Sequence, residues 1–159
     1  MVVVIAHLAS VRAIGYCPGM SNLHRLKPVK ALRIYCPVTP STLAAVMGGD
    51  QGAADDDPSL SAILKVIRDD NPLGDFDIYT SVIEISCGWE SFTPGARARP
   101  TLGEAGVNRF SPTVILTVYI PGDAEEDAIS DAIDRIIAVH PWEVPVIELA
   151  DTRLVQRRT

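Results

Sequence analysis

The sequence predicts an α+β domain built in the order βαββαβ, with two helical regions covering one face of an antiparallel sheet. Three observations carry that prediction. Ala31 to Thr39 alternates apolar and polar residues at the period of two of a half-buried strand. Thr113 to Ile120 is apolar at nearly every position, as in a strand at the centre of a sheet or in an oligomer interface. Between Asp123 and His140 the apolar residues recur at helical spacing, and the run His140-Pro141-Trp142-Glu143-Val144-Pro145 then breaks that helix into a final apolar strand.

The chain has 159 residues, enough for one domain that buries a core without disulfide staples. It is 47% hydrophobic and 21% charged, a soluble globular balance rather than a disordered or membrane-spanning one. A net charge of −6 argues against wrapping nucleic acid, which needs concentrated Lys and Arg. Cys17, Cys36 and Cys87 lack CxxC pairing and zinc-ligand spacing, so reduced thiols and a cytoplasmic location are expected. Met1 to Ala9 is apolar, but it is too short to cross a bilayer and lacks the basic flank of a secretory signal. Met20 and the polar stretch from Ser21 to Lys30 suggest that residues 1–30 are an N-terminal extension of a core domain over residues 31–159, with residues 1–19 arising from an upstream start.

In the first strand Leu32, Ile34, Cys36 and Val38 form one row, and Pro40 is expected to end it. Ser41-Thr42 can cap a short helix through Met47. The Gly48 to Pro58 stretch reads as a solvated loop, since glycine is entropically costly and adjacent aspartates repel; its aspartates do not follow the calcium-loop spacing of an EF-hand. Ser59 to Asp69 places Leu60, Ile63, Leu64 and Ile67 on one helical face, and Asn71-Pro72-Leu73-Gly74 stops it.

Ile78 to Cys87 is rich in β-branched and aromatic residues and reads as the second strand, followed by a long irregular segment, Gly88 to Pro112, of a length that suggests a functional or interface loop. Pro121-Gly122 turns the chain after the third strand. Asp123 and Glu126 have capping-box spacing for a helix whose inward face carries Ala128, Ile129, Ala132, Ile133, Ile136 and Ile137. His140 in its last turn suits the negative end of the helix dipole when protonated. Val144 to Leu149 is the last core strand, prolonged over Thr152 to Gln156. This order is that of a ferredoxin-like sandwich.

Two motifs add a resemblance. His140-Pro141-Trp142-Glu143-Val144-Pro145 resembles the HPYEEP-type motif of YqfO-like domains, PII/CutA-like modules that occur alone or inserted in larger dinuclear-metal proteins. Cys87, then Phe92-Thr93-Pro94, then Pro100-Thr101-Leu102-Gly103-Glu104-Ala105-Gly106 resembles the same family's Cys, Phe-x-Pro and Pro-x-x-Gly-x-x-Gly pattern. The resemblance covers Ala31 to Leu149. Trp142 replaces the usual tyrosine, Val144 replaces the usual second glutamate, and the Gly/Asp-rich stretch is inserted in the first helical region. It implies self-association, with a homotrimer favoured, and ligands held in clefts between subunits; it does not imply catalysis.

The residues that could contact such a ligand, whether anion, nucleotide or metal ion, are His140, Trp142, Glu143, Cys87, Gly103 and Glu104. Each also has a structural reading: helix termination for His140, packing for Trp142, and a turn for Gly103 to Gly106. That turn lacks the Lys and Ser/Thr of a P-loop, and Arg97 and Arg99 nearby read as solvated. No catalytic residues, cofactor or metal ligands are assigned. Alternative expectations are a CutA-type divalent-metal tolerance protein, or a small enzyme using Cys87 or His140, which would need an orienting group and an oxyanion site.

Overall fold

A computed structural model describes residues 23–158. The apolar opening and the upstream-start expectation fall on residues outside that range. The elements are β1 (His24–Pro37), α1 (Pro40–Met47), α2 (Ala53–Asp56), α3 (Pro58–Ile67), β2 (Glu84–Phe92), β3 (Arg109–Pro121), α4 (Glu126–Val139) and β4 (Ile147–Arg157). The four strands form one antiparallel sheet in the order β2-β3-β1-β4. It is an α+β fold, and none of its described helices is long and apolar enough to cross a membrane.

The core lies between the helices and one face of the sheet. Leu32, Ile34 and Cys36 of β1 and Val114, Leu116, Val118 and Ile120 of β3 supply the sheet side; Leu60, Ile63, Leu64 and Ile67 of α3 and Ile129, Ala132 and Ile136 of α4 supply the helix side. The apolar stripe of α4 is narrower than its sequence suggests, because Ala128 and Ile137 are exposed. The alternate residues, including Arg33, Tyr35, Ile115, Thr117 and Tyr119, fall on the second face of the sheet. Arg33 there pairs with Glu148 across β1 and β4 at 3.4 Å.

Several boundaries differ from the sequence reading, each for a physical reason. β1 starts at His24 rather than Ala31, because residues His24 to Pro28 pair with Arg153 to Arg157 of β4 as a two-stranded ribbon that reaches beyond β3. With no core to cover, that ribbon carries no apolar alternation. Pro40 starts α1 instead of merely ending the strand: it occupies the first helical turn, where its missing N–H costs nothing, and Thr39 is the N-cap, accepting from Thr42 N. The Asp-rich stretch holds a short helix, α2, with Ala53 and Ala54 buried. Its last aspartate, Asp57, is buried as the N-cap of α3, accepting from the backbone N–H groups of Ser59 and Leu60 and from the Thr42 hydroxyl. Asp55 pairs with Arg68, so two of these carboxylates tie elements together.

β2 is shifted to Glu84–Phe92. The stretch Ile78 to Ile83 is kept out of the sheet by turns at Asp77 and Ser81, whose φ values of 70° and 54° are incompatible with an extended strand. Gly74 anchors this segment: its N–H donates to the Tyr119 carbonyl at 3.1 Å, and its carbonyl accepts from Val82 N. The irregular segment expected from Gly88 to Pro112 is instead a hairpin, with Phe92 opposite Arg109 and only residues 93–108 outside the ladder. The capping box of α4 is not formed: Glu125 is the N-cap and makes no side-chain cap bond. β4 begins at Ile147, three residues after Val144, and runs on to Arg157.

Candidate functional site

The tip of the β2–β3 hairpin folds back over the α4–β4 connection, and the two line a half-open cavity of about 300 Å³. Its walls come from three sequence segments: Phe92, Thr93 and Pro94; Ala98 to Leu102; and Trp142, Glu143 and Val144. Phe92 and Trp142 meet edge to face, with ring centroids 4.6 Å apart and an interplanar angle of 70°. This is a favourable arrangement of ring quadrupoles.

Backbone chemistry fixes the hairpin tip. Gly103 and Gly106 adopt φ values of +88° and +79°, the left-handed region that favours glycine. A Cβ on Gly103 would also lie 2.8 Å from Cγ of Arg109. Gly106 N donates to the Pro94 carbonyl at 2.8 Å, and Asn108 Nδ2 donates to Ser91 Oγ and the Phe92 carbonyl. These contacts give the two glycines a structural role: they close the turn that brings Pro94 and Pro100 to the cavity.

Two hydrogen bonds then tie the tip to the helix–strand connection. Arg99 N donates to Glu143 Oε2 at 2.9 Å, and Thr101 Oγ1 donates to the Pro141 carbonyl at 2.9 Å. Beneath them His140 is 9% exposed. Its Nδ1 accepts from Trp142 N at 3.2 Å, which leaves Nε2 to carry the proton and donate to the Tyr35 carbonyl at 3.0 Å. Burial pushes its pKa below the ordinary histidine value, against the opposing effect of the Tyr35 bond. His140 therefore acts as a neutral strut between β1 and the connection. It is not the protonated cap that the helix dipole suggests.

Of the six residues singled out from sequence, Trp142 and Glu143 line the cavity. Gly103 shapes its rim, and Glu104 contributes a backbone carbonyl that accepts from Val107 N while its side chain lies outside the lining. His140 sits behind the wall with both nitrogens engaged. Cys87 packs against the core cluster from β2, opposite Val114, and is not among the lining residues. Cys36 lies on the other side of Val114, and its thiol is pushed up to about 12, chiefly by burial and further by the carboxylates of Asp57 and Glu90. Among the described residues no group of three or more His, Cys, Asp and Glu is placed to hold a metal ion. Ala98, Leu102 and Val144 join the site without any chemical signal of their own; only their neighbours in the motifs mark them.

No family model matches the sequence, and no curated protein sequence matches it. Among solved structures, the chain is similar to a Bacillus cereus protein related to NIF3, with a TM-score of 0.51 at 16% sequence identity. The likeness covers 80% of this chain and 26% of the other, so the chain spans about a quarter of that protein's length. At that identity the likeness is one of fold.

Proposed function

We propose that the chain is a non-enzymatic PII/CutA-like module of ferredoxin-like topology that self-associates, with a homotrimer as the expected assembly, and binds a small ligand in the cavity beneath the hairpin tip. One observation carries this reading. The segments that resemble the YqfO-like motifs, far apart in sequence, converge on a single cavity and supply most of its lining. The strand order β2-β3-β1-β4 is compatible with a ferredoxin-like sheet, and the likeness to part of a NIF3-related protein supports the fold component of the reading.

Self-association is supported by the surface. Among the described residues β2 and β4 are the edge strands of the sheet, and both carry exposed apolar side chains: Ile85 and Trp89 on β2, Leu149 and Val155 on β4. Exposed apolar edges are a liability in a monomer and an asset in an assembly. The enzymatic alternative gains nothing from the site, because His140 has no free nitrogen to serve as a base for Cys87. Light scattering coupled to gel filtration tests the assembly. A trimer mass is expected, and a monomer at micromolar concentration would refute it. Thermal-shift screening tests ligand binding, since a ligand that binds the folded state raises the melting temperature with concentration.

A further inference from the structure

We infer that the cavity beneath the hairpin tip takes a small organic cation, an ammonium or guanidinium group carried on an apolar body. This deepens the ligand-binding reading above and rests on it. It also departs from the anion, nucleotide or metal ion that the sequence suggests, and the lining chemistry is the reason.

The walls are apolar and aromatic: Phe92, Pro94, Leu102, Trp142 and Val144 provide them. Among the described residues Glu143 is the only ionisable one in the lining. Its Oε2 is held by Arg99 N, which fixes the carboxylate against the cavity, and among the described residues no Lys, Arg or His lies within ion-pair distance of it. The Arg99 contact is a backbone one, and neither Arg97 nor Arg99 is part of the lining.

Of the two lining hydroxyls, that of Thr93 accepts from Asn108 Nδ2 at 3.4 Å, and that of Thr101 points to the same ligand class. Thr101 spends its hydroxyl proton on the Pro141 carbonyl, so its oxygen is left with lone pairs to offer. The site thus presents a fixed negative charge, an acceptor oxygen and the ring surfaces of a tryptophan and a phenylalanine. A cation over an aromatic face is attracted by the ring quadrupole, most strongly by that of tryptophan. An anion or a nucleotide phosphate would instead meet a carboxylate with no lining cation to offset it. A divalent metal would find a single carboxylate and no partner ligands. A volume near 300 Å³ is at the small end for ligand pockets and suits a single-ring amine.

Isothermal titration of the full chain with 2-phenylethylamine, 3-phenyl-1-propanol and 3-phenylpropionate tests the inference, because the three probes are similar in size and differ in charge. The amine is expected to bind about tenfold more tightly than the alcohol, the gain a partly exposed ion pair and a cation–π contact provide together, and the carboxylate to bind most weakly. Glu143→Gln keeps an oxygen to accept from Arg99 N, so the hairpin tip stays tied; it should cut the amine's advantage to the part the aromatic rings supply, about threefold, while leaving alcohol binding unchanged. Binding of 3-phenylpropionate as tight as that of the amine, an advantage undiminished by Glu143→Gln, or no saturable binding of any probe would overturn the inference. A monomer in light scattering would sink the assembly reading and leave this one standing, because every lining residue belongs to one chain.

Discussion

Replacing His140 with alanine removes two hydrogen bonds, one from Nε2 to the Tyr35 carbonyl of β1 and one to Nδ1 from Trp142 N within the α4–β4 connection. Trp142 N–H loses its acceptor and the Tyr35 carbonyl loses a donor. A buried polar group left unsatisfied costs about 1–3 kcal/mol; Tyr35 and Trp142 are half-buried, so water offsets part of that and the two together should destabilise the protein by about 2–4 kcal/mol at pH 8. The same residue makes a pH prediction. Its folded pKa is depressed by burial, so the unfolded chain binds a proton at a higher pH than the native one. Stability from the neutral form is fully present above the unfolded value near 6.5. It is lost as pH falls through the window between that value and the lower folded one, with a slope of at most about 1.4 kcal/mol per pH unit. Urea unfolding of both proteins from pH 8 to pH 5, at one fixed protein concentration, measures the difference. The gap between wild type and His140→Ala should narrow as the solution is acidified. A gap that widens, or an unchanged midpoint at pH 8, would refute the assignment of His140 as a neutral strut.

Other expected outcomes follow from the packing. Leu116→Ala, at a fully buried position of the central strand, should cost about 2–5 kcal/mol in denaturant unfolding. Gly74→Ala should destabilise by more than about 1 kcal/mol, because the new Cβ would meet the Val82 carbonyl oxygen at 2.5 Å in a left-handed backbone; a neutral effect on the melting temperature would mean that the Ile78 to Val82 turn is not anchored there. Asp57→Ala should cost about 0.5–2 kcal/mol through the lost cap of α3, whereas a truly solvated loop would show no change. Thiol titration should leave Cys36 unreacted in the native protein: wild type and Cys36→Ser should give equal counts until denaturant is added, when wild type gains one.

The legibility of the fold followed burial. α3, α4 and β3 each press an apolar row into the core, and that row imposes a period on the sequence. The ribbon formed by His24 to Pro28 with Arg153 to Arg157 covers no core, so its alternation carries no hydrophobic signal. β2 is displaced because Ile78 and Tyr79 have strand-like side chains on a turn, while Gly88, Glu90 and Ser91 are poor strand formers within a strand. The Asp-rich stretch misled in the same way: the charge of Asp57 suggested solvent, yet its oxygens accept from backbone donors and Thr42. At the site, the motif segments were visible one by one, and Trp142 and Glu143 were identified as contacts. Their meeting with Phe92 and Pro100 depends on a hairpin whose strands are defined by pairing rather than periodicity. The neutrality of His140 was equally out of reach, because both of its partners are backbone groups with no sequence signature.

The ribbon has a practical side. β4 leaves the cavity wall soon after Val144 and runs from Ile147 to Arg157, about 33 Å at the rise of an extended strand. Residue 157 is therefore remote from Trp142. A protein tethered to a sensor surface through a label at that position would hold the cavity mouth clear of the support, whereas attachment within the hairpin tip would plug the chamber it was meant to present.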